Sequence, residues 1–194
     1  MKFEQPQDNT STANPDEQEV SERQKKEQEW NRIRGQVDGI KDKLELGIDE
    51  GIKEGVTAFN AFGLRTSQSC EGHYGTEAGG SPTHWIEVAP HEPDAENWYE
   101  DEALREQVTK ERNELQAKSV KLLDEFYNER NSSYDTRLGF SGVGYRFRVQ
   151  STGTEIFDEL THGLSEEDKA KKAAGYKKEM GDFTDFLKNK YLNE

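Results

Sequence analysis

An α+β fold is what the sequence predicts: a two-layer sandwich in which a small, mainly antiparallel sheet of about four strands is packed by long helices, in the order α-β-β-α-β-β-α. Two observations carry this expectation. Apolar residues recur at steps of three or four over long stretches, the signature of helices with one buried face. Between those stretches lie two pairs of short segments in which apolar and polar residues alternate, the signature of strands.

Residues 1–18 are rich in Gln, Asn, Asp, Ser, Thr and Pro and hold almost no large apolar side chain. Such a segment cannot bury enough surface to offset its ordering entropy, so a disordered N-terminal tail is expected, with residues 19–194 forming a single α+β domain. Residues 19–34 mix acids and bases at helical spacing around Val20, Trp30 and Ile33, which predicts a charged leading helix. Val37, Ile40, Leu44, Ile48, Ile52, Val56 and Phe59 then trace one helical face, which predicts a core helix of about 25 residues. The five glycines between Gly35 and Gly55 imply that packing holds this helix, or that it kinks.

Residues 64–70 and 84–89 read as the first strand pair, joined by a loop holding Gly72, Gly75, Gly79, Gly80 and Pro82. Leu104, Val108, Leu115, Leu122, Leu123 and Phe126 place a second long helix before about Arg130, entered through an acidic run that suits a helix N-terminus. Leu138, Phe140, Tyr145, Phe147 and Val149 predict a hairpin turning around Ser141 and Gly142, with Arg146 and Arg148 on its opposite face. A Ser165 cap, followed by Tyr176, Met180, Phe183 and Leu187, predicts the last helix.

Composition narrows function. The 194 residues carry 26 Lys and Arg against 40 Asp and Glu, a formal charge of −14 that repels phosphate backbones and disfavours nucleic acid as a partner. Cys70 is the single cysteine, so an intrachain disulfide is impossible and a reducing, cytoplasmic setting is expected. No apolar run suits a signal peptide or a membrane span, so no membrane partner is expected.

The chemistry-bearing residues concentrate in 66–73, TSQSCEGH. Antiparallel pairing of the first two strands would bring Cys70 beside His84, and Cys70 and His73 are separated by two residues, a spacing that lets both hold one ion. Cys70, His73 and His84 are therefore the candidate catalytic set. They could act as a thiolate nucleophile activated by imidazole, with loop N–H groups around Gly72 as oxyanion donors, or as a three-ligand zinc site. Alternatively, they form a ligand pocket without metal, or Cys70 is a small buried hydrophobe. No metal or other cofactor is assigned.

Thr66, Ser69 and Gly72 are the candidate ligand-binding residues of the loop, and Arg65, Arg146 and Arg148 could hold a small anionic ligand through bidentate contacts or, alternatively, pair with helix carboxylates on a solvated face. The expected function is thus a small-ligand-binding protein or enzyme. The alternatives are a non-catalytic acidic protein binding a basic protein partner, in the manner of phage inhibitors that mimic nucleic acid, and a scaffold built from the charged helices.

The stretch FNAFGLRTSQSCEGH, followed by Pro82 and the strand HWIEV, resembles a pattern found in small bacterial and phage proteins. Over residues 58–88 it also resembles, distantly, the wybutosine-synthesising methyltransferase family of tRNA modification, whose motif after a helix is Ser-Ser-Cys-Ser-Gly-Arg. Thr66, Ser69, Cys70 and Gly72 match that pattern, and His73 stands where the family has Arg. The resemblance implies a functional loop.

Overall fold

In the computed structural model, residues 15–42, 44–75 and 81–194 are described. Residues 1–14, the larger part of the expected tail, lie outside them. The fold is α+β, and the described residues form five helices and a four-stranded antiparallel sheet. Helix α1 spans Pro15–Asp38 and α2 Glu50–Ala61; strands β1 (Thr66–Cys70) and β2 (Trp85–Val88) follow. Helix α3 is Glu102–Tyr127, β3 and β4 are Leu138–Val143 and Arg146–Ser151, and a short α4 (Phe157–Leu160) precedes α5 (Glu166–Asn193). The sheet order is β1-β2-β4-β3, so β1 and β3 are its edges.

The alternation of side chains divides the sheet into two chemically distinct faces. Ile86 and Val88 on β2 pair with Val149 and Phe147 on β4, giving a buried apolar face continued by Leu138 and Phe140. Against it pack Ile52, Val56 and Phe59 of α2, Phe126 of α3, and Met180, Phe183 and Leu187 of α5. Phe183 meets Phe59 edge-on and tilts against Phe126, so one α5 ring ties three helices together. The opposite face carries Trp85, Glu87, Arg146 and Arg148.

The long helices end where their local chemistry says they should. Asp101 caps α3 by accepting from the Leu104 N–H, and Ser165 caps α5 by accepting from the Asp168 N–H at 3.2 Å. In α1 the anticipated anchors Trp30 and Ile33 are buried, with Val37 beside them, and the helix begins at Pro15 rather than Glu19.

The single core helix expected to run through Val37 and Phe59 is two helices. Residues 39–42 and 44–49 leave the helical path, and Ile40 and Leu44 are 47% and 76% exposed. The cause is local hydrogen bonding. Asp42 Oδ1 accepts from the N–H groups of Leu44 and Leu46, an alternative to the helical ladder, and Lys41 bridges back to Gly47. Glu45 takes a positive φ of 62° in this turn. Ile52 and Val56 are buried as expected, and Ile48 is partly buried against the core.

The second hairpin also turns later than Ser141 and Gly142. Both residues lie inside β3, and the turn falls at Gly144, whose φ of 58° suits the tight reversal before Arg146.

Candidate functional site

The break between α1 and α2 creates the site, because it delivers Asp49 to the end of β1. Asp49 occupies the N-cap position of α2, where a carboxylate ordinarily accepts from its own helix. It makes no such bond. Its Oδ2 instead lies 3.3 Å from His73 Nε2 and 3.4 Å from the Glu71 backbone nitrogen, which donates to it. Capping is supplied across the fold: Glu71 Oε2 accepts from the Gly51 N–H at 2.8 Å. A Cβ at Gly51 would collide with that carboxylate, so the exchange depends on glycine there.

Cys70, His73 and Asp49 form one group, each offering a ligand atom within 4.8 Å of the others. Cys70 is buried, its Sγ accepts from the Gly72 N–H at 3.4 Å, and its S–H donates toward Ser81 O at 4.0 Å. Gly72 has a φ of 78°, and a Cβ there would press on the Thr83 carbonyl carbon at 3.0 Å and Pro82 O at 3.1 Å. The glycine therefore lets the loop pass flush against the strand that follows it. The His73 N–H donates to Ser81 O at 2.8 Å, which closes the loop above Cys70.

The expected meeting of Cys70 with His84 does not occur. Register sets Cys70 opposite Trp85, one residue later than anticipated, and alternation turns His84 to the other side of the strand. There His84 lines a separate cavity of about 250 Å³ with Gly51, Lys177 and Met180. Burial, reinforced by Lys177, pushes its pKa down to about 4, so it is neutral near pH 7. It bonds to the Gly51 backbone, while its Nδ1 is buried without a protein partner.

A cleft of about 510 Å³ lies between residues 40–49 and β1. Thr66, Ser67, Gln68 and Ser69 form its polar wall, Ile40, Leu46, Ile48, Val56 and Trp85 its apolar surface, and Asp49 belongs to it as well as to the Cys70 group. The Thr66 hydroxyl accepts from Asn60 Nδ2, which fixes it at the cleft. A larger hollow of about 700 Å³ runs along α3 beside Tyr145, but charged side chains of one helix face line most of it and no convergent reactive group is among them.

The three arginines are engaged elsewhere. Arg146 pairs with buried Glu87 at 3.3 Å and with Glu92, and Arg148 pairs with Glu87 at 3.4 Å while lying 3.9 Å above the Trp85 ring. Arg65 contacts His91 Nδ1 at 2.7 Å. The same-side placement of Arg146 and Arg148 is as expected, but their charges neutralise Glu87 and do not converge on the cleft.

Asp49 and Glu71 are the residues sequence reasoning missed. The available signal was Asp49-Glu50 after Gly47, an acidic helix start that the uninterrupted apolar stripe masked. The fold and site together define an α+β protein with a Cys/His/Asp group at one end of an open cleft. Comparison with protein-family models, curated proteins and solved structures found no match. Among the described residues no helix is long and apolar enough to cross a membrane.

Proposed function

We propose that this chain is a small-ligand-binding protein or enzyme whose ligand occupies the cleft between residues 40–49 and β1, with the Cys70 group acting on or holding its end. The observation that supports this reading is the double membership of Asp49, which links the cleft beside β1 to the Cys70 and His73 side chains. The lining suits a ligand with an apolar face against Trp85 and Ile48 and hydroxyl or carbonyl groups toward Thr66, Ser69 and Gln68. The likeness of the loop to the wybutosine-synthesising family agrees with a functional role for Cys70 and Gly72. Because Arg146 and Arg148 are paired to carboxylates and Arg65 contacts His91, the reading needs no anionic ligand.

The test is a thermal-shift screen of a library of small metabolites against wild type and Ser69→Trp, a variant that fills the cleft. Compounds that raise the melting temperature of wild type and not of the folded variant support the reading. A screen in which every stabilising compound acts equally on both proteins contradicts it.

A further inference from the structure

We propose that Asp49, Cys70 and His73 bind one zinc-type divalent cation, in a site with three protein ligands and a fourth position open toward the cleft. The donor set is one thiolate, one imidazole and one carboxylate, which together select a borderline-soft first-row cation over calcium or magnesium. Geometry agrees. A tetrahedral ion with bonds of about 2.0–2.3 Å needs its ligands roughly 3.3–3.8 Å apart. His73 Nε2 and Asp49 Oδ2 already stand at 3.3 Å, and the 4.8 Å limit on the whole group leaves a closure on the scale of a side-chain rotation.

Two features of the surroundings point the same way. The Gly72 N–H donates to Cys70 Sγ at 3.4 Å, the kind of outer hydrogen bond that orients a sulfur ligand around a metal centre. Asp49 is held away from its natural helix cap, because Glu71 takes that place at the Gly51 N–H. The carboxylate is thus aimed at His73 by the fold, with the Glu71 N–H donating to the same oxygen that faces the imidazole. His84 stands outside the group: it lies on the other side of the strand, where it lines the cavity with Lys177 and Met180.

The open position follows from Asp49 lining the cleft, so this part of the proposal rests on the ligand reading above, whereas the ion itself does not. A water or an oxygen donor of the bound molecule would complete the coordination.

Titration of the metal-stripped full-length chain with Co(II) reads the site by absorption. The expected result is one Co(II) per chain, with a thiolate-to-cobalt charge-transfer band and the strong visible bands of tetrahedral coordination, displaced by equimolar Zn(II). Cys70→Ser should abolish the charge-transfer band. His73→Gln and Asp49→Asn should each weaken Co(II) binding at least about tenfold, and His162→Gln, in the turn between α4 and α5 and outside the group, should leave it unchanged. Near-ultraviolet circular dichroism verifies that each variant is folded, and wild type alone decides whether the band exists.

Absence of the band in wild type overturns the proposal, as does undiminished binding in folded His73→Gln and Asp49→Asn. If wild type takes up no Co(II) while cleft compounds still discriminate it from Ser69→Trp, the metal falls and the ligand reading stands. Stoichiometric Co(II) without any cleft-specific compound keeps the ion and removes the ligand reading.

Discussion

Asp49 and Glu71 have exchanged the tasks that their positions would ordinarily give them, and this exchange is open to mutation. Glu71 caps α2 from another segment, so Glu71→Ala should cost about 1 kcal/mol in urea denaturation, the usual effect of losing a helix cap. Glu71→Gln, which keeps an acceptor oxygen, should retain most of that. Equal stability of Glu71→Ala and wild type would show that the Gly51 N–H is satisfied without it.

His84 makes a second prediction at this scale. Its folded pKa of about 4 lies below the ordinary 6.5, so the unfolded chain takes up the proton first as pH falls. The stability associated with neutral His84 is complete above pH 6.5 and is lost progressively down to pH 4, amounting to roughly 2 kcal/mol by pH 5. Denaturant midpoints at pH 7.5 and pH 5 should therefore drop further for wild type than for His84→Gln; parallel drops would mean that His84 is not desolvated as described. The pairing of Cys70 with His73 was legible because a two-residue gap keeps side chains together in almost any loop. Asp49 was not, because only the tertiary fold brings the start of α2 to the end of β1.

At the scale of elements, the contrast between Ile52 and Leu44 tests the break between α1 and α2. Ile52 lies under the sheet, so Ile52→Ala should cost about 2–5 kcal/mol. Leu44, on the same apparent stripe in the sequence, is exposed, and Leu44→Ala should change stability by no more than about 0.5 kcal/mol. Comparable losses in both variants would restore a continuous helix. The strands were readable because period-two alternation has few competing explanations, and the Ser165 cap and the acidic start of α3 because they are local. The break was hidden because Ile40 and Leu44 keep the helical spacing while Asp42 captures the backbone N–H groups that the helix would need.

Gly72 belongs to the same scale, since its positive φ and the backbone atoms around it leave no room for a side chain. Gly72→Ala should lower stability by more than about 1 kcal/mol and loosen the Cys70 loop, seen as faster amide exchange at His73.

Across the whole molecule, buried charges join layers that the apolar core alone would leave free to slide. Glu179 of α5 is buried and accepts from Tyr127 at 2.8 Å, from Ser132 at 2.7 Å and from Arg130 at 2.8 Å, tying α5 to the end of α3. Arg130 also holds Asp182. Arg130→Met would leave the Glu179 carboxylate without its cation, and the expected loss is on the order of 3 kcal/mol in denaturant melts. Glu87 plays the corresponding part on the far face of the sheet, between Arg146 and Arg148. These networks explain why Arg130, Arg146 and Arg148, which stand out in an acidic sequence, need not mark a ligand site: they answer the buried carboxylates Glu179 and Glu87.

The central claim is that the cleft beside β1 and the Cys70 group work as one site, and amide chemical shifts measured during titration with the best compound from the thermal-shift screen test it most directly. Shifts are expected at Ser67, Gln68 and Ser69 together with Asp49, Gly72 and His73. Shifts confined to the α3 hollow around Arg105, Asn113 and Tyr145, with the Cys70 loop unmoved, would contradict it.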